Sequence, residues 1–129
     1  MTDISNYLEA AIINLTLRNT AFTELGTVYV ALGTADFTDA ATDYQPSGGN
    51  YARATVTAWD APTDGVTQNT SVIAFATATA DWGTITHAAI YDDPSAGNQL
   101  YQGDLTASKI VQNGDSFQFN AGALTITIA

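Results

Sequence analysis

The chain contains no cysteine, so neither a disulfide nor a thiolate metal site contributes to its stability or chemistry. Cations are almost as scarce: Arg18, Arg53 and Lys109 stand against thirteen acidic residues, for a net charge of −10. Phosphate binding relies on lysine and arginine, so this balance argues against nucleic acid and anionic membranes as partners. The single histidine, His87, has no second imidazole or thiolate with which to build a transition-metal site. No apolar run reaches the ~20 residues of a membrane-spanning helix. The N-terminus lacks the basic and apolar regions of a signal peptide, which predicts synthesis in a cytoplasm.

Catalytic signatures are also missing. There is no Gly-x-Ser-x-Gly elbow. Ser47-Gly48-Gly49-Asn50 lacks the Gly-Lys-Ser/Thr ending of a phosphate loop and precedes a strand, so it reads as a flexible hairpin. Glu9 and Glu24, the only glutamates, lie off the predicted core strands, and no pair of aspartates stands out as a glycosidase couple. Asp36, Asp39 and Asp43, then Asp60 and Asp64, then Asp92 and Asp93 gather where the chain turns. Their spacing matches no calcium loop, and starting turns is the ordinary work of aspartate. His87 shares a strand face with Ile85 and Ala89 and reads as a hydrogen-bonded histidine in or beside the core. No catalytic, metal or cofactor residue is assigned. Trp59, Trp82 and the six tyrosines follow no fixed period, which favours core and subunit contacts over a sugar-stacking face.

With 129 residues, one domain (1–129) burying roughly two-thirds of its unfolded surface is expected. Ile4, Leu8, Ala11, Ile12 and Leu15 recur at three- and four-residue steps, predicting a helix within 1–20, capped by Thr2 or Asp3 and ended by Asn19-Thr20. From Thr27 onward strands alternate with turns: 27–34, 51–59, 71–77, a central strand in TADWGTITHAAIYD (79–92), then 98–105, 108–112, 116–120 and 123–129. In the central strand Ile85, His87, Ala89 and Tyr91 are expected on one face, and Thr84, Thr86, Ala88 and Ile90 on the other. Because neither face is strongly polar, this strand is expected between two layers. About eight short strands at such spacing predict an all-β, antiparallel β-sandwich over 27–129, jelly-roll-like, with one N-terminal α-helix.

YVALGTAD (29–36), GGNYAR (48–53), TADWGTITHAAIYD (79–92) and NQLYQGDLTASKIVQNGDSFQFNAGALTITI (98–128), in this order, resemble a family of small phage virion proteins commonly labelled phage tail fibre proteins. The chain departs from the family pattern at Asp43-Tyr44-Gln45-Pro46, where a glutamate is expected just before the Ser-Gly-Gly turn. The resemblance implies a non-enzymatic structural protein of the virion, made in the host cytoplasm. Compactness and acidity favour an outer-surface capsid decoration (cement) protein bound to the major capsid protein. A tail or head fibre knob is the alternative, and a carbohydrate-binding module or hydrolase ranks third. Small virion sandwiches usually work as symmetric oligomers, so a homo-oligomer, a trimer by preference, is expected. Leu8, Ile12, Leu15, Arg53 and Trp82 are its expected contact residues, with Arg53 as an intersubunit ion-pair donor.

Overall fold

Two neighbouring strands carry the architecture. β2 (Val28–Gly33) and β6 (Gly83–Tyr91) pair antiparallel inside a five-stranded sheet. Its order is β1 (Asp3–Ile4), β7 (Gln99–Val111), β6, β2, β3 (Ala54–Val56), antiparallel throughout. This computed structural model describes residues 3–128. The capping candidate Thr2, and Ala129 at the end of the last predicted strand, lie outside the described residues.

β2 is built from apolar and small residues on both faces, and Val30, Ala31 and Leu32 are all fully buried. A strand covered on both sides needs a layer against each face. On the front, Val30, Leu32, Ile85, Ala88 and Val111 pack against Ile73, Phe75, Phe117, Phe119 and Leu124. These partners lie in or beside two antiparallel ribbons, β5 (Ile73–Ala74) with β8 (Gln118–Phe119), and β4 (Val66–Gln68) with β9 (Thr125–Thr127). The three phenylalanines meet edge-on, at centroid distances of 5.2 to 6.4 Å. Each such ring stabilises the fold by about 1.5–3 kcal/mol through burial. On the back, Ala31, Ala89 and Tyr91 are covered by Phe37. This ring reaches in from the polar stretch after β2, and a side chain at Gly33 would collide with it.

The all-β, sandwich-like fold with one helix agrees with the sequence, whereas the strands differ from it in extent. The alternating run 51–59 supplies only the three ladder residues of β3, and 71–77 only the two of β5. The predicted strands 98–105 and 108–112 are one strand, β7, with an irregularity in its middle. Opposite it the register jumps from Ile85↔Lys109 to His87↔Asp104. β6 therefore changes face at Thr86, and Ile85 and Ala88 enter the same core cluster. The expectation that Ile85 shares a face with Ala89 and Tyr91 is corrected accordingly. A bulge breaks the two-residue period that the prediction assumed.

Helix α1 (Asn6–Leu17) is capped by Ser5, whose side-chain oxygen accepts the Leu8 N–H at 3.1 Å and donates to the Gln99 carbonyl. Ser5, not Asp3, is thus the cap, because Asp3 is held in β1 against Gln102. Asn19, in the left-handed region at φ 53°, ends the helix, as its residue type allows.

Candidate functional site

The family-like motifs converge in space. In Gly48-Gly49-Asn50 three successive residues have positive φ, from 59° to 74°, so the reversal is tight and glycine-dependent. The hairpin is anchored rather than free. Gly49 O accepts the Trp82 indole N–H at 2.9 Å and the Thr79 backbone N–H at 3.0 Å. Trp82 stands edge-on to Tyr51, with ring centroids 5.3 Å apart at 88°. The Tyr51 hydroxyl accepts the Leu32 N–H at 3.0 Å, beyond the last β2–β3 ladder pair, and donates to Gln45 Oε1 at 2.9 Å. Burial pushes the Tyr51 pKa up to about 12.

Arg53 completes the cluster. Its guanidinium lies 3.7 Å from the Tyr91 ring centroid, its Nε donates to Gln45 Oε1 at 3.1 Å, and its Nη1 donates to the carbonyls of Asp93 and Ala96 at 2.7 and 2.8 Å. Arg53 thus clasps the turn after β6 to the turn before β3, within one chain. Gln45 lies in the stretch 43–46 where the resemblance leads one to expect a glutamate, and its amide oxygen serves both Tyr51 and Arg53. No sequence pattern singled out Phe37, which carries no periodic or motif signal, and Gln45 stood out only as part of the departure at 43–46.

Four of the turn aspartates act as acceptors. Asp36 accepts from Thr38, Asp43 from Gln45, Asp92 from Asn98, and Asp93 from Ser95 and Ala96, all through backbone N–H groups at 2.7 to 3.0 Å. The Ala96 and Ser95 bonds, helped by Arg53, hold the Asp93 carboxyl below its ordinary pKa. His87 is half-buried, with its Nδ1 2.7 Å from Thr86 Oγ1. Among the described residues no three of His, Cys, Asp and Glu group to hold a metal.

The expected contact residues separate into two sets. Trp82 (5% exposed) and Leu8 (8%) are spent on the chain's own core, whereas Ile12 (38%) and Leu15 (52%) are open. Leu15 sits two turns beyond Leu8 on the same side of α1. Only the first half of the helix is packed, with Leu8 and Ala11 against Ile90, Leu100 and Ile126. Ile13 (52%) and Leu17 (80%) extend the exposed apolar surface.

The model of one protein family, described as Podophage GP4 fiber I protein gp80, matches residues 3–127. The chain belongs to that family. It is therefore a phage fibre-type protein and a structural component of the virion. The match covers the anchored hairpin, the Trp82 turn and the Arg53 clasp alike. No curated protein matches the chain. Among the described residues no helix is long and apolar enough to cross a membrane.

Proposed function

We propose that this protein is a non-enzymatic building unit of a fibre-type appendage on the outer surface of a podophage particle. Membership of the fibre I family over residues 3–127 carries this reading. The chemistry of the body supports it, since the motif residues bond to one another and Asp36, Asp43, Asp92 and Asp93 to their own turns. In this reading the open half of α1, with Ile12, Ile13, Leu15 and Leu17, is the assembly contact, where apolar burial joins copies of the chain or other virion proteins. A helix with Glu9 as its only charged residue suits association in a chain of net charge −10. A closed trimer is the assembly this reading favours.

Capsid decoration is the second reading. The observation favouring it is that the described residues form two packed layers and one helix, without the coiled coil or repeats of a shaft. Copy number in purified particles, relative to the major capsid protein, separates the two. The fibre reading expects few copies per particle, lost together with adsorption. Copies stoichiometric with the capsid protein, and a shell that weakens in their absence, would move the protein to the capsid. Absence from particles would sink both.

A further inference from the structure

The two layers do not close at the end that carries Trp59. Between the main sheet and the β4–β9 ribbon lies a cleft of about 170 Å³, continuous through shared walls with one of about 340 Å³. Trp59, Thr67, Tyr101 and Ile126 line both. Val28, Ile90 and Leu100 add apolar surface to the smaller part, and Asp60 lines the larger.

The polar groups of this cleft have been left over by the fold. Among the described residues the Trp59 indole N–H, the Tyr101 hydroxyl and the Asp60 carboxylate have no hydrogen-bond partner. The two rings are half-buried and pack against the Leu8–Ile90–Leu100–Ile126 cluster, so they are held in place. Asp60 is braced as well: its N–H donates to Gln68 O at 2.9 Å, and its carbonyl accepts the Thr67 hydroxyl at 2.6 Å. A carboxylate carried on a braced backbone, an indole donor and a phenol on packed rings thus border an apolar, two-ring wall.

We propose that this cleft binds a neutral saccharide. A sugar ring is amphipathic in the matching way. Its C–H face packs on aromatic rings, while its hydroxyls donate to a carboxylate and accept from an indole N–H. The combined volume falls in the range of about 300–1,000 Å³ usual for small-molecule sites, which pair apolar walls with a few fixed polar groups. None of the chain's three cations lines the cleft, so an acidic sugar would meet Asp60 with no compensating charge. A purely apolar helix would cover the rings but leave three polar groups without partners, an unfavourable outcome for a buried contact.

The test uses the two indole N–H signals of the ¹⁵N-labelled full-length protein. Trp82, bonded to Gly49, is the internal control for Trp59. The chain is titrated with a panel of neutral hexose and N-acetylhexosamine oligosaccharides, and with sialyllactose as the acidic comparison. At least one neutral sugar is expected to move the Trp59 signal and leave Trp82 in place, with sialyllactose inert. Asp60→Asn is expected to weaken binding about tenfold, as for loss of one charged hydrogen bond. Tyr101→Phe, which keeps the ring, weakens it by a smaller factor, and both variants leave the Trp82 signal unchanged as proof of folding. No Trp59 response to any neutral sugar at about 10 mM, enough to occupy a millimolar site, would overturn the proposal. Binding undiminished in Asp60→Asn would do so too. A Trp59 shift that follows protein concentration instead of sugar would assign the cleft to a second copy.

Discussion

The two tryptophans sit in opposite circumstances. Trp82 is 5% exposed, its indole N–H bonds to Gly49 and its ring meets Tyr51 edge-on. Trp59 is half-buried, lines an open cleft, and its N–H has no partner among the described residues. Around Trp82 the turns, the Arg53 clasp and the Tyr51 hydroxyl satisfy one another, and that end of the molecule holds the fold together. Around Trp59 the layers part, and apolar and polar surface remains available. The same residue type thus serves stability at one end and recognition at the other, according to whether its hydrogen bond is made at home.

The sharpest way to break this contrast is to truncate both rings. Trp82→Ala is expected to cost about 3–5 kcal/mol, the range for a large buried aromatic, and Trp59→Ala clearly less. Equal losses in urea unfolding would erase the distinction. Gly49→Ala attacks the closed end from its backbone. The new Cβ would lie 3.1 Å from the Trp82 Nε1 at a residue with φ +59°, for an expected loss of about 1–3 kcal/mol.

Alkaline pH probes the same end without mutation. With its pKa raised from 10.0 to about 12, Tyr51 stays neutral in the folded chain while the unfolded chain ionises. Its contribution, at most about 3 kcal/mol, is complete below pH 10 and lost as pH rises towards 12. Tyr51→Phe should flatten that limb of the stability curve. Asp93 works in the opposite sense: its lowered pKa contributes stability above the ordinary aspartate range, lost as pH falls below it. Gln45→Glu tests the clasp more gently. It makes the acceptor for Arg53 and Tyr51 a carboxylate but gives up the Gln45 Nε2 donation to exposed Asp43 at 3.2 Å, for a net expected gain of about 0.5 kcal/mol at neutral pH, read as a raised urea midpoint. Smallest in stability is Leu17→Lys on the open helix, within about 0.5 kcal/mol of the parent. Sedimentation should nevertheless show weaker association. Unchanged association would remove the helix from the assembly contact.

Local chemistry in the chain was enough for some of this. The stripe Leu8, Ala11, Ile12, Leu15 requires a helix, although Ile4, expected in it, pairs with Tyr101 in β1 because Ser5 caps the helix only after it. The alternating runs require strands, and the aspartates and glycines mark the turns. Those signals depend only on neighbours in sequence, and they placed the all-β body and its one helix. Residues 66–68 were missed as a strand because Val66-Thr67-Gln68 carries too short a pattern, and only pairing with Thr125–Thr127 makes it one.

Everything that depends on distant partners was settled by the tertiary structure. The register jump opposite β7 turns Ile85 to the face of Ala88, against the strict alternation of the sequence. Phe37, in a stretch as polar as any surface loop, is fully buried because the back of β2 and β6 needed covering. Arg53 meets two carbonyls forty and more residues away, and Leu15 is left open because only the first half of its helix is packed. Periodicity says which residues can share a face. Whether a face is then covered depends on what the rest of the chain brings to it, and that is decided only when the layers meet.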